Sequence, residues 1–90
     1  MAAVVVYSAG YCAYCERAKA LLERKAVPFT EIMVDQDPAR RAEMVQRTGR
    51  RTVPQIFIGE THVGGFDEIH RLEREGKLDA LLADGTTDGR

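Results

Sequence analysis

Ninety residues are enough for one hydrophobic core and too few for two. The composition, 44% hydrophobic and 30% charged, is that of an ordinary globular domain and excludes a disordered chain or one made of membrane spans. A net charge of −1 supplies no general attraction to nucleic acid or to anionic lipid, so neither is expected as a partner.

Met1-Ala2-Ala3 leads into an apolar run with no basic segment and no long hydrophobic stretch, so no export signal is read and a cytoplasmic location is expected. Residues 3 to 7 are continuously apolar, which suits a central strand buried on both faces. The helix-forming stretch after Cys12 predicts a helix over residues 13 to 26. Cys15, Ala18, Leu21, Leu22 and Ala26 fall on its inner side, and Glu16, Arg17, Lys19, Glu23 and Arg24 face water. Val27-Pro28 ends it, and Phe29 to Val34 reads as a second strand parallel to the first. Asp37 is placed to cap a second helix with Pro38 at its first position; that helix stops at Gly49. Its inner side is read as Ala42, Met44 and Val45, and Arg40, Arg41 and Arg47 lie outward. Residues 55–58 and 61–63 flank Gly59-Glu60 as a hairpin. A third helix is expected over 66–75, and 77–83 gives a last amphipathic segment with Leu78, Leu81 and Leu82 inward. Residues 1–84 are read as a single domain, and the polar stretch 85–90 as a flexible tail.

Cys12 and Cys15 are the only cysteines, three apart, where a strand hands over to a helix. Free N–H groups and the positive end of the dipole stabilise a thiolate there, so Cys12 at the helix mouth is expected to have a lowered pKa and Cys15 is not. Thiol–disulfide chemistry, half of a zinc site and two chance cysteines are the competing readings. A closed zinc site needs two more ligands, and only His62 and His70 are on offer. His62, His70, Met33 and Met44 are otherwise read as packing or surface residues. The pair Val53-Pro54, taken alone, predicts a trans bond.

Three segments, Cys12-Ala13-Tyr14-Cys15, Thr52-Val53-Pro54-Gln55-Ile56-Phe57-Ile58 and Gly64-Gly65-Phe66-Asp67, together with the order β-α-β-α-β-β-α, resemble the glutaredoxins. The likeness runs from Val4 to Leu82 and is strongest to small bacterial dithiol members of the glutaredoxin 3 type. It implies an α/β, thioredoxin-like fold with a central four-stranded mixed sheet flanked by helices, and a glutathione-dependent disulfide oxidoreductase. By resemblance Cys12 is the nucleophile and Cys15 the resolving thiol. A glutathione groove is implied along Tyr14, Thr52, Val53, Pro54, Gly65, Phe66 and Asp67, with a cis-proline at Pro54. Arg41 falls where relatives often place a residue that reaches the glycine carboxylate, and Arg50 and Arg51 are weaker candidates. The implied partners are glutathione and glutathionylated or disulfide-containing proteins, met by a monomer.

Two positions depart from that pattern. Ala9 stands where many members have a lysine that helps to acidify the first thiol, so Cys12 must rely more on the helix end. Ala13 replaces the usual proline, and relatives without it can hold a [2Fe–2S] cluster in a dimer through the first cysteine and glutathione. A cluster on Cys12 is therefore the alternative cofactor. Phe66, where smaller residues are usual, leaves a thioredoxin-reductase-dependent redoxin as a third reading.

Overall fold

In Val4-Val5-Val6-Tyr7 the side chains alternate between two apolar surroundings, which is what a central strand with both faces covered requires. The computed structural model describes residues 2–83. It contains β1 (Val4–Ser8), α1 (Ala13–Arg24), β2 (Thr30–Met33), α2 (Pro38–Thr48), β3 (Gln55–Ile58), β4 (Thr61–Gly64), α3 (Phe66–Arg74) and α4 (Leu78–Ala83). The strands form one mixed sheet in the order β2-β1-β3-β4. β1 pairs parallel with β2, antiparallel with β3, and β3 pairs antiparallel with β4 through the Gly59-Glu60 hairpin. This is the thioredoxin-like arrangement. The expected tail, 85–90, lies outside the described residues.

The period of two along the strands divides the interior. Val4, Val6, Ile56 and Ile58 face α1, α3 and α4, meeting Ala18, Leu21, Leu22, Ile69, Leu78 and Leu82. Tyr7 and Phe57 face the other way, against Val34 and Met44. On this second side α2 buries Met44 alone completely. The Tyr7 hydroxyl compensates by donating to the Glu43 carboxylate and accepting from Arg47 Nη1 at 2.8 Å. The Arg47 guanidinium also covers the Phe57 ring, 3.9 Å from its centroid. That contact with Tyr7, reinforced by Arg40, holds the Glu43 carboxyl below the usual glutamate range.

Caps follow the sequence. Asp37 accepts from Ala39 and Arg40 N–H at 3.1 and 3.3 Å, Pro38 opens α2, and Gly49 closes it at φ 73°. Two inward assignments do not hold. Ala42 is exposed, and its place is taken by Glu43, half-buried by its bond to Tyr7. Ala26 is also exposed, because α1 ends at Arg24 and Ala26 turns left-handed at φ 58°. The Val27 N–H then reaches Leu22 O and the Ala26 N–H reaches Glu23 O, both at 3.0 Å, and Val27 becomes the buried residue. Lys19, expected in water, is half-buried between Glu16 and Glu31 at 2.9 and 2.7 Å.

A left-handed non-glycine residue costs about 1–2 kcal/mol, and glycine returns about 0.4–1 of that through the unfolded chain. Ala26→Gly is therefore expected to stabilise the fold by about 0.5–1 kcal/mol, read as a thermal midpoint raised by about 3–6 °C. A midpoint that falls would show that the turn is not limiting.

Candidate functional site

β1 delivers the chain to the first turn of α1, and Cys12 is the N-cap of that helix, in extended backbone at φ −125°. Its sulfur accepts the Cys15 N–H at 3.0 Å, so a helix-end donor already points at the atom that would carry negative charge. The two residues are joined as a disulfide, with Cα atoms 5.1 Å apart. They differ in access: Cys12 is half-buried, and Cys15 is 0% exposed beneath it. Among the described residues no three His, Cys, Asp or Glu side chains gather as a metal site.

Facing the disulfide is the loop before β3. The Val53-Pro54 peptide is cis, against the trans expectation from the dipeptide alone and in agreement with the one from resemblance. Val53 O lies 3.7 Å from Cys12 Sγ. Beside it opens a cavity of about 220 Å³ lined by Tyr14, Arg50, Thr52, Val53, Pro54, Gln55, Gly65, Phe66, Asp67 and Glu68. Three segments far apart in the chain thus meet: the start of α1, the loop into β3, and the start of α3. The Tyr14 and Phe66 rings stand 6.1 Å apart, and Phe66 is stacked on His70 at 5.3 Å. Phe66 is half-buried: it packs against the edge of the core and forms part of the cavity wall.

α3 begins without a side-chain cap on its first-turn N–H groups. Gly65 is its N-cap, and the Gly65 N–H donates backwards to Glu68 Oε1 at 2.6 Å. Gly64, at φ 118°, allows that approach: a Cβ there would sit 2.8 Å from Glu68 Oε1. Asp67 is exposed at the same helix start.

Arg41 is not among the residues of this cavity. It donates from Nη2 to Arg51 O at 3.2 Å and lines a separate groove with Pro38, Ala42, Val45, Gln46 and Arg51. The cation on the cavity wall is Arg50, whose Nη1 is 4.0 Å from Glu68 Oε1. Sequence reasoning ranked it low because it sits in a row of arginines, where nothing but the path of the loop separates one from another. Gln55 and Glu68 were not singled out at all. Glu68 could have been found as the acidic residue three places after the N-cap.

Comparison with known proteins agrees with this geometry. The family model described as Glutaredoxin matches residues 4–63. The chain is 59% identical over 83 residues to a glutaredoxin of Pseudomonas aeruginosa, covering 92% of this chain and 99% of that protein. It is 51% identical over 82 residues to glutaredoxin 3 of Escherichia coli K12, covering 91% and 99%. Among solved structures, a buckwheat glutaredoxin–glutathione complex superposes with a TM-score of 0.86 at 39% identity, covering 94% of this chain and 80% of that one. With a disulfide at the first strand-to-helix junction and the fold and sequence of these relatives, the chain belongs to the glutaredoxin family of thiol oxidoreductases.

Proposed function

We propose that the protein is a glutathione-dependent disulfide oxidoreductase that reduces glutathione mixed disulfides and protein disulfides through Cys12 and Cys15. The observation that carries this reading is the position of Cys12 Sγ, 3.7 Å from Val53 O, at the edge of a cavity whose far wall is the uncapped start of α3. A small peptide with a central thiol and a carboxylate at each end suits such a site.

In this reading glutathione lies extended along Thr52-Val53, exchanging backbone hydrogen bonds as an added strand does. Its γ-glutamyl carboxylate meets the N–H groups of Phe66 and Asp67 at the start of α3, and the Asp67 carboxylate takes its ammonium group. Tyr14 and Phe66 flank the peptide, and Pro54 keeps the groove floor against the disulfide. Arg50, the cation on the cavity wall, meets the glycine carboxylate, and Arg41, on the separate groove, is the second cation that the family pattern points to.

The Cys12 thiolate attacks the glutathione sulfur of a glutathionylated protein. The old S–S bond breaks, its electron pair leaves on the protein thiolate, and that thiolate takes a proton from water. A second glutathione thiolate then attacks the sulfur bound to Cys12, releasing oxidised glutathione and the Cys12 thiolate. With a protein disulfide, Cys12 forms the mixed disulfide and Cys15 displaces the substrate from it, leaving the Cys12–Cys15 disulfide seen in the structure. Two glutathione molecules restore the dithiol. This cycle belongs in a reducing compartment such as the cytoplasm.

The cluster alternative rests on Ala13. One chain offers Cys12 as its thiolate and no further grouped ligands among the described residues, so a [2Fe–2S] cluster would need Cys12 of a second chain and external thiols.

The test is reduction of a mixed disulfide between glutathione and a small thiol, coupled to glutathione reductase and its nicotinamide cofactor. Turnover with glutathione, and none when thioredoxin reductase is the sole electron source, is expected. The opposite pattern would favour the redoxin reading.

A further inference from the structure

We infer that His62 is a positioning residue for the Thr52-Val53 segment, acting through Gln55, and thereby sets how well the groove holds glutathione. This role rests on the glutathione reading above and deepens it. Gln55 is 1% exposed, so every polar atom of its carboxamide needs a partner. Its Nε2 faces two oxygens of Thr52, the carbonyl at 3.0 Å and the hydroxyl at 3.3 Å. A carbonyl only accepts, which fixes the nitrogen on that side and turns Gln55 Oε1 to His62 Nε2 at 2.7 Å. The His62 ring must therefore carry its proton on Nε2. Burial, and then the Arg50 charge, push the His62 pKa down against the opposing pull of Glu68, and so favour the neutral ring.

The placement depends on an irregularity in the sheet. Ile56 pairs with Gly64 but Phe57 pairs with His62, so Val63 is an extra residue in β4. The bulge brings His62 onto the face shared by Phe57 and Gln55. The imidazole is stacked on the Phe57 ring at 5.1 Å and 30°, which holds it in plane for the bond to Gln55. The relay runs from the stacked ring through the buried amide to the Thr52 backbone, and Thr52 and Val53 are the residues against which the glutathione backbone would lie. A merely space-filling residue at this place would need the ring and not the N–H.

Three proteins separate these roles: wild type, His62→Phe, which keeps a ring to stack on Phe57 and loses the donor, and His62→Gln, whose Nε2 restores a donor at similar reach. Backbone order of Thr52 and Val53 and hydrogen exchange of the Gln55 carboxamide are followed by NMR in the ligand-free proteins, and KM and kcat with the glutathione mixed disulfide are measured beside them. His62→Phe is expected to loosen Thr52-Val53, to speed exchange at Gln55, and to raise KM about fivefold with kcat changed by less than about twofold. His62→Gln is expected to return order, exchange and KM toward wild type. Unchanged order and KM in His62→Phe, or a His62→Gln protein no better than His62→Phe, would overturn the relay. If wild type turns over no glutathione mixed disulfide, the glutathione reading falls, and the NMR comparison still decides whether His62 orders the segment.

Discussion

Cys12→Ser is expected to lose both deglutathionylation and protein-disulfide reduction, by about a thousandfold or more, whereas Cys15→Ser keeps the first and loses the second. The difference follows from access and donors. Cys12 is half-buried at the helix mouth and receives the Cys15 N–H at 3.0 Å, so its thiolate is both reachable and stabilised. A serine hydroxyl there stays protonated near neutral pH and, having no sulfur, cannot form the mixed disulfide at all. Cys15 is fully buried, with the Cys12 sulfur as its bonded neighbour. It can resolve a disulfide on Cys12 and cannot open one in a substrate. The glutathione-coupled assay with a small mixed disulfide, run beside reduction of a protein disulfide, checks both variants. Mass spectrometry of Cys15→Ser should also reveal the trapped substrate on Cys12. Turnover retained by Cys12→Ser would overturn the assignment of the nucleophile.

Gly64→Ala is expected to damage both the fold and the cavity wall. At φ 118° any side chain strains the backbone, and a new Cβ would meet Glu68 Oε1 at 2.8 Å and Cγ at 3.0 Å. Glu68 cannot yield cheaply, since that oxygen takes the Gly65 N–H at 2.6 Å and holds the start of α3. A loss of about 2–3 kcal/mol is expected, which for a domain of this size lowers the thermal midpoint by roughly 10–20 °C. Because the same movement shifts Gly65, Phe66 and Asp67 on the cavity wall, KM for the mixed disulfide should rise in the protein that remains folded. A Gly64→Ala protein with wild-type midpoint and KM would mean that the Glu68 contact is dispensable.

Much of the fold was legible because its signals are local. The continuous apolar run of β1, the Asp37-Pro38 start and Gly49 stop of α2, and the Gly59-Glu60 hairpin each carry their own chemistry. The misplaced residues lie where a periodic pattern meets a tertiary demand. Ala26 continues the helical stripe on paper, but the chain leaves the helix two residues earlier to bring Val27 inward. Ala42 loses its inward place to a glutamate because a buried tyrosine hydroxyl, 36 residues away, needs an acceptor. At the site, the groove implied by the resemblance named seven of the residues that line the cavity, from Tyr14 to Asp67. Arg50, Gln55 and His62 could not be read in the same way. Their roles depend on the path of one loop and on a bulge, and a bulge leaves no mark in a strand whose pattern is only four residues long.

The sheet is covered unequally, and that inequality sets where the molecule yields. Three helices seal one face around a dozen buried apolar side chains. The other is closed by a single helix whose hold is Met44, a few half-buried neighbours, and a tyrosine-centred set of polar bonds at the margin. Local opening is favoured where few apolar contacts must be broken, and α2, with Met44 as its one fully buried side chain, is expected to open at lower cost than α1. Such an excursion would uncover one side of β1 and β3 while α1, anchored by Ala18, Leu21 and Leu22 on the opposite side, keeps both sulfurs in register. The redox pair thus belongs to the more thickly covered side of the described fold, and the arginine-bearing helix to the thinner one.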